Sequence, residues 1–245
     1  MTKEEITFEK LAWAAFIARL FGMTGPIAYM EIYKDYRFRE SLAFAPSSLN
    51  PKEVCDKLIG GFLNKWRSRF PNNDKAASDI LRSLESISPL LKAVREFTID
   101  TIEFNKTIDI DGEQISVMNL IMTIYERIIH CHGFRTTAGA KILGVINPGL
   151  FVMWDDSIAI HYASNDRDIF NGVGYGSFLQ KMQKAAHCCI SDFEMHLGHK
   201  DIAGFSSKKL EVIPPVPLAK FLDEYNWISI TQRINLPPKW HPDTQ

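Results

Sequence analysis

A lysine and a carboxylate pair stand at the two ends of one apolar segment, GAKILGVINPGLFVMWDD, at residues 139–156. Lys141 lies near the start of a helical stretch of apolar residues, and Asp155 and Asp156 close the segment. A lysine carried into apolar surroundings loses solvation of its charged form, so its pKa falls and the neutral amine becomes a nucleophile near pH 7. Such an amine can attack an electrophilic carbon and form a Schiff base. A neighbouring carboxylate can stabilise developing positive charge or carry protons. Asn147-Pro148-Gly149 must break the helix, and a chain that doubles back there could bring Lys141 and Asp155 together. The plainer alternative has Asp155 or Asp156 capping a helix that begins at Ser157, with Lys141 on a solvated face.

Two further sets suit contact with a polyanion. Tyr33-Lys34-Asp35-Tyr36-Arg37-Phe38-Arg39 and Lys65-Trp66-Arg67-Ser68-Arg69-Phe70 interleave basic and aromatic residues. Phosphate contacts from Arg37, Arg39, Lys65, Arg67 and Arg69, with bases stacked on the rings, would make DNA the partner. The same pattern also arises at amphipathic helix ends, with aromatics inward and arginines outward.

His130-Cys131-His132 and His187-Cys188-Cys189 offer zinc-ligand chemistry, as do His196 and His199. Adjacent residues on a helix point in different directions, however, and no Cys-x-x-Cys pair occurs. We therefore expect no metal site and no cofactor. Asp109-Ile110-Asp111-Gly112-Glu113 lacks the downstream ligands of a calcium loop and reads as a turn. Gly172-Val173-Gly174-Tyr175-Gly176 lacks the Lys-Ser/Thr of a phosphate loop and reads as the start of a helix.

The elements that must position these residues are mainly helical. Phe8, Leu11, Ala12, Ala15 and Phe16 recur at the spacing of a buried helix face, with Gly22 as a stop. Asn50-Pro51-Lys52-Glu53 supplies a capping residue, a first-turn proline and a capping-box acid ahead of Val54, Leu58, Phe62 and Trp66. Two shorter helices are predicted near 74–86 and 89–97. The stretch TIDTIEFNKTIDIDGEQ alternates β-branched and polar residues around Asp111-Gly112, which predicts a small hairpin near 98–112 or an extended linker. A helix returns through Ile115, Met118, Ile121, Tyr125 and Ile128 and stops at Gly133. Thr136 or Thr137 caps the helix that carries Lys141, a long helix follows over 174–196, and Pro217 starts a last short one.

The chain has 245 residues, 46% of them hydrophobic and 11% aromatic, enough for one sizeable core. We expect a single mainly α domain over 1–245, with sub-lobes at 1–97 and 113–245. A formal net charge of -1 creates no global field toward polyanions, so a nucleic-acid partner needs a local basic patch. The acidic start MTKEEITFEK is unlike a signal peptide, and the apolar run from Leu11 to Met30 is interrupted by Arg19, Gly25 and Pro26. Four cysteines in a chain this long make no disulfide framework. The expectation is a soluble cytoplasmic protein without a membrane partner; the sequence does not fix its oligomeric state.

The order of Lys141, an apolar helix, Asn147-Pro148 and then Leu150-Phe151-Val152-Met153-Trp154-Asp155 resembles a poorly characterised bacterial and archaeal all-helical family. Phe62-Leu63-Asn64-Lys65-Trp66, and Phe178-Leu179-Gln180-Lys181-Met182-Gln183 after Gly174-Tyr175-Gly176, resemble recurring blocks of that family. More distantly, the segment is similar to the helix-hairpin-helix DNA glycosylases, including the oxoguanine-type ones. In those a glycine-rich hairpin precedes a nucleophilic lysine, and an essential aspartate follows the next helix. The resemblance implies a multi-helix orthogonal bundle with a helix-hairpin-helix core around 113–200. It implies Lys141 as nucleophile and Asp155 as the activating carboxylate. Thr137 and Gly139 stand where the hairpin amides of that family receive a DNA phosphate, with Thr137 in place of a glycine. Tyr125 and Trp154 would line the pocket for an extruded base. The resulting expectation is a nucleic-acid-binding protein acting as a DNA base-lesion glycosylase/lyase. From another class, the alternative is a non-catalytic helical interaction or scaffold protein.

Overall fold

The computed structural model describes residues 6–20, 24–66, 68–130, 136–163, 169–198, 201, 204 and 215–236. Three helices open the fold: α1 (Phe8–Leu20), α2 (Thr24–Lys34) and α3 (Tyr36–Phe44). Asp35 caps α3 by accepting the Phe38 N–H at 3.1 Å. As its sequence predicts, Asn50 caps the next helix, accepting the Lys52 N–H at 2.9 Å with Pro51 in the first turn. α4 (Pro51–Val54) runs straight into a π-helical stretch, Cys55–Leu63. Gly61 lies in that wider coil, where a Cβ would stand 2.8 Å from the Asp56 carbonyl oxygen.

α5 is one helix, Asp74–Ala93, where two were predicted. Pro89 removes a single N–H donor. The continuous buried face of Ile80, Leu84, Ile87 and Leu91 outweighs that loss. The hairpin lies further along than predicted. Strands β1 (Thr107–Ile110) and β2 (Glu113–Ser116) pair antiparallel, Ile110 opposite Glu113. Asp111 and Gly112 carry φ of 54° and 88°, the left-handed pair that a two-residue hairpin turn needs. Residues 98–106 instead form turns, pinned by the Ile99 N–H to the Gly149 carbonyl at 2.9 Å and by buried Ile99 and Ile102.

Ser116 caps α6 (Val117–Ile129), and α7 (Thr136–Ile146) packs closely on it. Asn147 ends α7 by turning its side chain to three carbonyls beyond α5, with Nδ2 2.8 Å from the Val94 oxygen. Its Oδ1 accepts the N–H groups of Gly149 and Leu150, each at 3.2 Å. The chain then runs extended to α8 (Asp156–Tyr162), continues in the long α9 (Gly172–Leu197), and closes with α10 (Leu218–Asn226), which passes into a π turn, Trp227–Thr231. Every residue of α10 is buried, and it packs against α1 from the other end of the chain. One hydrophobic cluster takes side chains from Phe8 through Ile228, so both predicted sub-lobes contribute to it. The fold is mainly α, and among the described residues no helix is long and apolar enough to cross a membrane.

Candidate functional site

Lys141 is 5% exposed, because the residues of α7 from Ala138 to Ile146 are all buried. Its amine reaches back across the fold to the turn that follows the π-helical stretch. Nζ donates to the Trp66 carbonyl at 2.9 Å and to Ser68 Oγ at 3.2 Å, and it lies 5.4 Å from the centre of the Trp66 ring. A helix end leaves carbonyls without helical donors, and the Trp66 oxygen receives the lysine in their place.

The turn is held locally. Asn64 Nδ2 donates to the Phe70 carbonyl at 3.0 Å, Asn64 Oδ1 accepts the Phe70 N–H at 2.7 Å, and the Ser68 N–H donates to the Leu63 carbonyl. Arg69 takes a φ of 48°, a left-handed conformation that an ordinary residue adopts only where its surroundings impose it.

Both acceptors of the Lys141 amine are uncharged, and among the described residues no carboxylate forms an ion pair with it. Burial therefore dominates and pulls its pKa from the usual 10.5 down to about 8. Asp155, Asp223 and Asp156 work against that pull from further away.

Lys141, Asp155 and Asp156 line one cleft of about 1460 Å³. The fold-back at Asn147-Pro148-Gly149 thus brings both ends of the segment to a single cavity. Asp155 itself is the N-cap of α8. Its Oδ1 accepts the Ile158 N–H at 3.0 Å, and its Oδ2 accepts the Thr231 hydroxyl at 2.7 Å. Asp156, the first residue of α8, accepts the Thr137 hydroxyl at 3.0 Å.

The other candidates divide between this cleft and elsewhere. Lys65, Arg69 and Thr137 line the cleft, with Lys65 and Arg69 exposed. Arg67 lies outside the described residues. Arg37 and Arg39 are on α3 and do not line the cleft; Arg39 lies 4.6 Å from the Tyr33 ring centre.

Gly139 is buried, and a Cβ there would stand 2.8 Å from Ile129 Cγ2. Its lack of a side chain lets α7 approach α6, which is a packing role. Thr137 and Gly139, expected in a hairpin whose amides receive a phosphate, lie instead within α7, where the backbone runs helical from Thr136; residues 131–135 lie outside the described residues.

Tyr125 and Trp154 require correction as pocket residues. They are 0% and 3% exposed and belong to the core. Trp154 Nε1 donates to the Tyr125 hydroxyl at 2.8 Å, and that hydroxyl donates to the Thr136 carbonyl. The Tyr125 ring stacks on Tyr175 with centroids 4.2 Å apart. Each polar tip is satisfied internally, so the pair can stay buried without a ligand.

Among the aromatic and polar groups that do line the cleft are Trp66, Phe70, Phe170, Trp227 and Thr231. Their joint location depends on contacts between residues far apart in sequence, and no local motif marks it. Among the described residues no three His, Cys, Asp or Glu side chains gather as a metal ion requires. Cys131 and His132 lie outside the described residues, and His187 Nε2 meets the Asp100 carbonyl at 2.7 Å. No protein-family model matches the chain, and no curated protein or solved structure matches it either.

Proposed function

We propose that the cleft is an amine-nucleophile site of a nucleic-acid-binding protein that processes a damaged base in DNA. The observation that carries this reading is the Lys141 amine, buried beside a cavity and bonded only to uncharged acceptors, with a pKa of about 8. A buried structural lysine is ordinarily paired with a carboxylate, which keeps it protonated and unreactive. At neutral pH a lysine of pKa about 8 holds a useful fraction of free amine.

In the proposed reaction the amine lone pair forms a bond to C1′ of an extruded nucleotide. The glycosidic bond breaks, and its electron pair leaves with the base. Loss of a proton from nitrogen and opening of the sugar ring then give the imine. Asp155 supplies negative charge near the cationic centre as it develops. Lys65 and Arg69 are the cleft's basic groups for phosphate, and Phe170 and Trp227 offer faces for stacking. The distant likeness of the segment to lysine-dependent glycosylases supports the same choice of substrate.

Borohydride trapping on duplex DNA carrying a panel of lesions and abasic sites tests the proposal. The expected result is a covalent adduct that is lost in Lys141→Ala. No adduct with any duplex, or an undiminished adduct in the variant, defeats it.

One observation favours a second reading, a non-catalytic scaffold: Asp155 is fully engaged as a helix cap and as the acceptor of Thr231. Asp155→Asn separates the two. Asparagine caps a helix as well as aspartate does, so a scaffold keeps its stability and nothing else changes. A reactive site loses trapping rate while its stability stays put.

A further inference from the structure

We infer that the Trp66 carbonyl and the Ser68 hydroxyl position the Lys141 amine, with Ser68 as the residue that fixes where its lone pair points. This rests on the amine-nucleophile reading and gives a role to a serine that the basic-aromatic set at 65–70 contains without assigning it one.

The argument is one of tetrahedral geometry. A neutral primary amine has two N–H groups and one lone pair around nitrogen besides its carbon. Lys141 has two acceptors within hydrogen-bond distance, the Trp66 carbonyl at 2.9 Å and Ser68 Oγ at 3.2 Å. When both N–H groups are given to them, the lone pair takes the one direction left. Because neither acceptor carries charge, the pair of bonds survives loss of the ammonium proton. A carboxylate in the same place would hold that proton.

The acceptors are fixed rather than adaptable. Asn64 closes the turn through both backbone groups of Phe70, the Ser68 N–H is tied to Leu63, and Arg69 is held in a left-handed conformation. Rigid acceptors on a closed turn hold a nucleophile in one orientation, which is where much of the advantage of an enzyme over solution lies.

Removing the hydroxyl tests this. A small aldehyde, glyoxylate, is reduced onto the full-length protein with cyanoborohydride, and the modification at Lys141 is followed by mass spectrometry from pH 6 to pH 10. In Ser68→Ala the plateau rate at high pH, where the amine is neutral in both proteins, is expected to fall about five- to tenfold, the scale of one hydrogen bond. The midpoint should also move to lower pH, since the ammonium form loses an acceptor. Ser68→Thr should restore both the plateau and the midpoint. Should Ser68→Ala fail to fold, Ser68→Cys, whose sulfur is a weak acceptor, takes its place with the same expectations.

An unchanged plateau in the variant overturns the positioning role and leaves the amine site intact. A faster plateau also overturns it, because the serine would then be blocking the lone pair by donating to it. If wild-type protein gains no label at Lys141 at any pH, the amine reading itself fails and this inference falls with it.

Discussion

Two lysines are buried against the same indole, and they are held in opposite ways. Lys141 from α7 and Lys220 from α10 lie 5.4 Å and 5.2 Å from the Trp66 ring centre. Lys220 pairs with Asp223 at 2.5 Å, has Glu224 at 3.9 Å, and rests over the Tyr29 ring. Lys141 has a carbonyl and a hydroxyl. Burial alone therefore does not make a lysine reactive. What separates the two is whether a carboxylate shares the low-dielectric site and stabilises the ammonium form. On this comparison Lys220 is fastened into the structure by its ion pair, and Lys141 is the buried amine held by neutral acceptors alone.

Breaking the Lys220 cluster should have the largest effect. Lys220→Ala removes the ion-pair partner of the buried Asp223 carboxylate and is expected to cost about 3–5 kcal/mol in denaturant unfolding. Lys141→Met leaves only two neutral acceptors behind, so its effect at pH 7 should be far smaller. A cost as large as that of Lys220→Ala would erase the distinction.

The pH dependence sharpens the contrast further. Lys141 has a folded-state pKa of about 8 against 10.5 when free, so between those values the unfolded chain binds a proton that the folded chain has released. Stability should then rise with pH by roughly 3 kcal/mol from about pH 8 to 10.5, relative to Lys141→Met measured in parallel. Parallel curves would mean that the amine is not desolvated as the fold implies.

A smaller effect is expected at the cap. Asp155→Ala should cost about 0.5–2 kcal/mol through loss of the α8 cap, visible in thermal unfolding. The smallest effect belongs to the α3 arginines. Arg37→Ala and Arg39→Ala should leave DNA affinity and its salt slope almost unchanged. Lys65→Ala and Arg69→Ala should each lower the slope by about one phosphate contact in salt-titrated binding.

The sequence made the segment itself legible because its signals are local. Asn147-Pro148-Gly149 had to end a helix, Asp155 had the position of a cap, and Asn50-Pro51 had the chemistry of a helix start. Misreadings arose where distant residues decide. Trp154 and Tyr125 looked like groups awaiting a ligand, yet each satisfies the other across the core. Two helices were expected near 74–86 and 89–97, but packing carried α5 through Pro89 as one. Ser68, Thr231 and Asp223 went unnoticed, since an exposed-looking serine, a late threonine and one acid among many carry no pattern. Their meaning comes from Lys141 and Asp155, which bond to Ser68 and Thr231 and come under the charge of Asp223 only after the chain has folded.

Asn147 shows how narrow a chemical choice such long-range fastening can impose. One side chain faces three carbonyl oxygens with its nitrogen and two amide hydrogens with its oxygen. An aspartate of the same shape would set oxygen against oxygen on the first side, and a leucine would take this side-chain partner from the three carbonyls and the Gly149 amide, leaving Leu150 only the backbone carbonyl of residue 147. Only a neutral amide meets both demands, so the end of α5 and the bend after α7 should open to solvent together, and deuterium uptake at Ile99, Gly149 and Leu150 should follow one common rate.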